Sequence, residues 1–181
     1  VRALVVERVW DGTAPPWSPR YQRFQQTLSA RGVLWERLVA GGIIEFGPRG
    51  RLRALASEPP VLMLEVGPRR ALLLGRANPT TQQWLLAAHP EVRRAELVWA
   101  TGRLDPALAA IAPQSGFIFS GRAGRTAMAG NPLWSTAQSG GLTVRCHGGG
   151  WTVEPSREDG KPVAFGAPTA PDRPLLSLAL R

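Results

Sequence analysis

A mixed α/β fold, with sheets flanked by helices, is what three features of this sequence predict. Compact apolar, β-branched runs of strand length recur through residues 1–154. Between them, three polar residues followed directly by proline open helical segments, because proline at the first helical position lacks only an N–H that would be unpaired anyway. Two Gly-Pro turns fold neighbouring runs back on themselves as hairpins.

In chain order, Ala3 to Val6 predicts a strand, and Ser18-Pro19 then opens a helix whose apolar residues Tyr21, Phe24 and Leu28 recur at helical spacing before Gly32 stops it. Val33 to Leu38 predicts the next strand. Two units of one design follow, Ile43-Ile44-Glu45-Phe46-Gly47-Pro48-Arg49-Gly50 and Leu64-Glu65-Val66-Gly67-Pro68-Arg69-Arg70, each a strand, a turn and a returning strand. They place strands at Val61 to Val66 and Ala71 to Leu74. Asn78-Pro79 opens a second helix with Trp84, Leu85 and Ala88 as its apolar stripe, ended by His89-Pro90. After a strand at Ala95 to Trp99, Asp105-Pro106 opens a third helix carrying Leu108 and Ile111, ended by Pro113. Phe117 to Phe119 is a strand, and Leu142 to Cys146 with Trp151 to Glu154 forms a closing hairpin around Gly148-Gly149-Gly150. From Pro155 the composition turns to Pro, Gly, Ser and charged residues, so residues 155–181 are expected to be a linker or tail.

Composition narrows the function classes. At 44% hydrophobic and 19% charged, 181 residues suffice for one substantial core. No run approaches the ~18 apolar residues of a membrane span and no signal peptide opens the chain, so this segment is expected to be soluble. It begins with Val1 and is expected to be a fragment or processed piece of a larger parent. One cysteine, Cys146, excludes an internal disulfide, and two histidines, His89 and His147, fall short of most catalytic zinc sites. The balance of 22 basic and 13 acidic residues gives net +9. Residues 151–181 carry four of each sign, so the excess lies in residues 1–150. Such a surface prefers anions, phosphates among them. Arginine as an ordinary solvated cation accounts for the same composition.

The run from Pro60 through Leu64-Glu65-Val66-Gly67-Pro68-Arg69-Arg70-Ala71-Leu72-Leu73-Leu74-Gly75-Arg76 resembles the strand, tight turn and L-L-x-G-D hairpin of metallo-β-lactamase-fold domains. In particular it resembles the C-terminal domain of ComEC-type competence proteins, the DNA-uptake channels of bacteria. Pro19 to Gly32, Leu104-Asp105-Pro106-Ala107-Leu108 and Trp134 to Arg145 are similar to further segments of that domain. The resemblance covers residues 1–154. It implies metallo-β-lactamase-like mixed sheets flanked by helices, a truncated αββα sandwich, DNA as partner, and attachment to the membrane channel part of the same parent protein in the bacterial cytoplasmic membrane.

The chain departs from that pattern where the family binds metal. The first histidine-rich motif is absent, Arg76 stands where the family has its metal-bridging aspartate, and Trp99-Ala100-Thr101-Gly102-Arg103 replaces a loop with two histidines. A guanidinium has no lone pair to give and repels cations. No metal, cofactor or catalytic residue is therefore expected, and the expectation runs against hydrolysis. What remains is DNA-phosphate binding or structural support of the channel, with Arg69, Arg70, Arg76, Arg103, Arg122 and Arg125 as the candidate phosphate contacts. Two alternatives stand beside it: a fragment of an active metal-dependent nuclease or other hydrolase, and a structural domain without nucleic-acid affinity.

Other motifs have ordinary readings next to functional ones. Asn78-Pro79-Thr80-Thr81 offers an anion the free N–H groups of a helix start, or is simply a cap. Gly121-Arg122-Ala123-Gly124-Arg125 suits a phosphate backbone or a surface turn. Cys146-His147 lacks the third partner of a reactive thiol. Among the seven tryptophans, Trp35, Trp84 and Trp99 are expected in the core, and Trp10 and Trp17 partly exposed.

Overall fold

The computed structural model describes residues 6–12, 18–111, 116–119, 133–147, 150–156, 163–165 and 176–180. At its amino end β1 (Arg8–Asp11), α1 (Pro19–Ala30) and β2 (Leu34–Arg37) form a βαβ unit with β1 and β2 paired in parallel. The Ser18 side chain caps α1 at the Tyr21 N–H, as the sequence predicts, and Pro19 occupies the first turn. The predicted strand at Ala3 to Val6 falls almost wholly outside the described residues.

The main body is a seven-stranded sheet in which spatial order equals chain order: β3 (Ile43–Phe46), β4 (Gly50–Ser57), β5 (Pro60–Val66), β6 (Arg69–Gly75), β7 (Leu97–Ala100), β8 (Gly116–Phe119) and β9 (Leu133–Ser135). From β3 to β6 neighbours are antiparallel; the predicted Gly-Pro turns join β3 to β4 and β5 to β6, their Gly47 and Gly67 adopting positive φ of 61° and 58° that glycine enters without strain, whereas the β4-to-β5 turn at Glu58-Pro59 is not among the predicted ones. From β6 to β9 they are parallel. The β6-to-β7 connection carries α2 (Pro79–Ala88) and a 3-10 turn at Pro90–Arg94, and the next carries α3 (Pro106–Ile111).

Strand alternation sorts the side chains onto two faces. On one face Leu55, Met63, Leu72, Leu74, Val98 and Phe117 pack against Leu85 and Leu86 of α2, Val92 of the 3-10 turn and Leu108 of α3. On the other, Leu64, Val66, Ala71, Leu97, Ile118 and Trp134 pack against Leu142, Val144, Cys146, Trp151 and Val153 of a second sheet. The layers are thus helices, sheet, sheet: the mixed α/β sandwich expected from the sequence. Removing a side chain such as Phe117 or Leu72, both fully buried, from water contributes about 1.5–3 kcal/mol each.

The second sheet departs from expectation. The hairpin β10 (Leu142–His147) and β11 (Gly150–Pro155) is where it was predicted, after a short helix α4 (Thr136–Ser139). The stretch after Pro155, expected to be a linker or tail, contributes β12 (Val163–Phe165) on β11 and β13 (Leu176–Leu180) on β10. Its proline and glycine content masks the one strand-like alternation in it, Leu176, Leu178 and Leu180, and the pairing partner lies some thirty residues upstream, Cys146 opposite Leu176 and Leu142 opposite Leu180.

Two tryptophans are also corrected. Trp84 is 47% exposed and Trp35 38% exposed. In α2 the buried positions are Gln82, Leu85 and Leu86, which turns Trp84 and Ala88 outward, where Trp84 meets His89 edge-on. Trp35 lies on the two-stranded β1–β2 sheet, where all four residues of β2 are exposed. Trp99, by contrast, packs against the inter-sheet core as expected, and Trp10 is partly exposed.

Candidate phosphate-binding site

The parallel strands β6 and β7 end side by side, Gly75 opposite Ala100. In open α/β sheets, the carboxyl ends of parallel strands are where loops diverge and leave room for ligands. Gly75 has φ +52°, and a Cβ there would be strained and would approach the Pro60 carbonyl oxygen at 3.4 Å. The turn it permits carries Arg76 off the sheet. Thr101, just past β7, donates both its backbone N–H (2.8 Å) and its hydroxyl (2.6 Å) to the Gly75 carbonyl, tying the two loop starts together. α2 opens immediately afterwards, with Asn78 Oδ1 accepting from the Thr81 N–H at 2.8 Å.

Behind the two loops sits Gln82, 1% exposed. Its Nε2 donates to the carbonyls of Ala77 (2.8 Å) and Arg103 (2.9 Å), and its Oε1 accepts from the Asp105 N–H (2.7 Å). Asp105 then caps α3 by accepting from Ala107 N–H, and accepts from Gln83 as well. One buried amide therefore fixes the backbone next to Arg76 and that of Arg103. Both arginine side chains are exposed, and neither forms an ion pair among the described residues. Sequence reasoning missed Gln82. Its signal was present: a polar residue three and four positions before Leu85 and Leu86, in the helix's apolar stripe.

A hollow of about 520 Å³ opens beside Arg76, lined by Gly12, Ser57, Glu58, Pro59, Pro60, Gly75, Arg76 and Thr101. Its surface is mostly apolar. Ser57 Oγ accepts from the Ala40 N–H at 2.7 Å, Glu58 pairs with Arg37 at 3.2 Å and Thr101 is bonded to Gly75. Arg76 is the lining cation without a counter-ion among the described residues.

The other end of β6 is different. Arg69 and Arg70, at its amino end, point to opposite faces and are both paired. Arg70 donates to Glu65 at 3.1 Å, and Arg51 donates to the same carboxylate at 2.5 Å. Glu65 is 5% exposed; burial pushes its carboxyl up, but the hydrogen bonds from Arg51 and Arg70 and the charges of Arg51 and Arg53 outweigh this and hold it below the ordinary carboxylate value. Arg69 donates to Glu96 at 2.9 Å, and the other oxygen of Glu96 accepts from the buried Trp151 Nε1 at 3.0 Å, which joins the two sheets. Beneath them, burial pushes the Cys146 thiol up to about 11, Arg69 opposing and Glu96 assisting.

The six candidate arginines therefore do not form one surface. Arg76 and Arg103 share the carboxyl edge, Arg69 and Arg70 lie roughly 20 Å away along the strand, and Arg122 and Arg125 fall outside the described residues. Among the described residues no three His, Cys, Asp or Glu side chains are grouped to hold a metal ion, and no helix is long and apolar enough to cross a membrane. Fold and site together define a mixed α/β sandwich with a basic rim at the ends of its parallel strands that has no ion pair among the described residues. Comparison with family models, curated proteins and solved structures finds no match for the chain.

Proposed function

We propose that this chain binds the phosphate groups of DNA at the carboxyl edge of β6 and β7, as a catalytically inactive metallo-β-lactamase-like domain of a ComEC-type DNA-uptake protein. The observation that carries the reading is Arg76: an exposed guanidinium without a counter-ion among the described residues, at the strand end where the resemblance puts a metal-bridging aspartate. A guanidinium there turns a cation-binding position into an anion-binding one, since it forks onto phosphate bidentately and cannot lose its charge. Arg103 rides on the adjacent loop, held by the same Gln82 amide. The paired Arg69 and Arg70 contribute to the field without being free to grip.

Fluorescence anisotropy of labelled single- and double-stranded DNA over a salt series tests this. Wild type is expected to bind in a salt-dependent manner, and Arg76→Ala to weaken binding and lower the slope of log K against log salt by about 0.7–0.9, the signature of one lost phosphate contact. Absence of binding leaves a structural domain, and stoichiometric metal with DNA cleavage by the full-length parent would overturn the inactive reading.

A further inference from the structure

We propose that the hollow beside Arg76 takes one nucleoside phosphate, with the base or sugar on the proline-glycine floor and the phosphate on Arg76. The inference rests on Arg76 meeting phosphate and adds what lies next to that phosphate. A clamp for backbone phosphate alone needs only a solvated cation on an open surface. This site has more: about 520 Å³ of concave space, within the range that holds a small organic ligand.

The floor is made by Gly12, Pro59, Pro60 and Gly75, which present flat apolar surface and no hydrogen-bonding side chains. Two of these positions resist enlargement. A Cβ on Gly12 would lie 2.8 Å from the Pro60 Cβ, and Gly75 holds a backbone conformation that side chains disfavour. The hollow is therefore floored by bare backbone at these two positions. Its polar groups sort by whether they are already engaged. Ser57 accepts from the Ala40 N–H and Thr101 donates to the Gly75 carbonyl, each hydroxyl keeping part of its bonding capacity, and the Glu58 carboxylate is offset by Arg37 while retaining acceptor capacity for an amine or hydroxyl. Arg76 is left as the positive charge on the rim. An apolar planar body joined to an anion, with a donor group that Glu58 can accept from, complements this surface; a bare phosphate leaves the floor wet, and a neutral apolar molecule leaves Arg76 unused. A nucleoside phosphate has all three parts, either free or as the exposed end of a nucleic-acid strand.

The test is an NMR titration of the ¹⁵N-labelled chain with dAMP, with ribose 5-phosphate, and with a short single-stranded oligonucleotide. The amides of Gly12, Gly75 and Thr101 are the reporters, and Arg76→Gln is titrated alongside. The proposal expects dAMP to move these three amides, ribose 5-phosphate to bind about tenfold more weakly for want of the base, and Arg76→Gln to abolish both responses. An oligonucleotide that moves the same amides more tightly than dAMP identifies a strand end as the source, and equal affinity identifies a free nucleotide. Equal affinities for dAMP and ribose 5-phosphate, or shifts confined to other residues, overturn the hollow while leaving an Arg76-dependent loss of DNA binding intact. If Arg76→Gln changes neither DNA nor dAMP binding, both the hollow and the phosphate reading fail.

Discussion

The two ends of β6 carry arginines in opposite circumstances. At the amino end, Arg69 and Arg70 are each matched to a carboxylate, and those carboxylates are shared further, Glu65 with Arg51 and Glu96 with Trp151. At the carboxyl end, Arg76 and Arg103 have no carboxylate partner among the described residues, and the buried group behind them, Gln82, is neutral and bonds backbone. The same residue type is thus built into ion pairs at one end and stands exposed, with no ion pair among the described residues, at the other. Net charge does not separate the two; sheet register does, because Glu65 lies opposite both Arg51 and Arg70.

The contrast is broken most severely at Gln82. Gln82→Leu orphans two carbonyls and one N–H, each costing roughly 1–3 kcal/mol, so urea denaturation is expected to show a loss of about 3 kcal/mol or more, far above that of a surface change. Gln82→Glu tests the same clamp with a single atom changed: it keeps the acceptor for Asp105 and loses the two donors. An unchanged midpoint in both variants would mean the amide does not hold the two loops.

At the amino end, Glu65→Ala leaves Arg51 and Arg70 without their carboxylate. The arginines are partly exposed, so about 1–3 kcal/mol is expected, less than for a fully buried pair. Because the folded carboxyl is held below its unfolded value of about 4.3, the native state binds that proton less readily than the unfolded chain does. Its contribution is complete above the unfolded value and declines as pH falls through the lower, folded one. Urea midpoints taken from pH 6 down to pH 3 should fall less steeply in Glu65→Gln than in wild type; parallel curves would remove Glu65 from acid sensitivity.

A smaller effect separates the two ends directly. Arg70→Ala is expected to cost about 1 kcal/mol of stability with little change in DNA affinity, and Arg76→Ala to cost under ~0.5 kcal/mol of stability while weakening DNA binding. The reverse pattern, from denaturation and anisotropy on the same samples, would exchange the roles of the two ends. Least of all should happen at Cys146. Its thiol is fully buried and pushed up to about 11, so maleimide labelling of native protein at pH 7 is expected to be very slow and to become fast in denaturant. Labelling accelerated by Arg69→Ala would show that the Arg69–Glu96 pair keeps the inter-sheet layer closed.

How legible this was depended on how local each feature is. The three helices follow from Ser18, Asn78 and Asp105 before prolines, since a cap and its target lie within one turn, and the hairpins follow from Gly47-Pro48 and Gly67-Pro68. Strands β12 and β13 were not legible, because their pairing with β11 and β10 crosses proline-rich sequence. Arg76 and Arg103 were placed at one edge by analogy with a strand-end loop. The neutralisation of Arg69 and Arg70 was hidden, since it requires knowing which residues stand opposite one another across β4, β5, β6 and the start of β7.

That every strand of the large sheet lies beside its neighbour in sequence has a kinetic consequence. No loop must close over an intervening strand, and the β3-to-β6 half is built from turns of a few residues whose closure costs little entropy. The parallel half must wait for longer crossovers through α2 and α3. β6 belongs to both halves, antiparallel to β5 and parallel to β7, so the slower half is expected to condense on it, and stopped-flow refolding should be slowed by a substitution at Leu72 where one at Phe117 chiefly speeds unfolding.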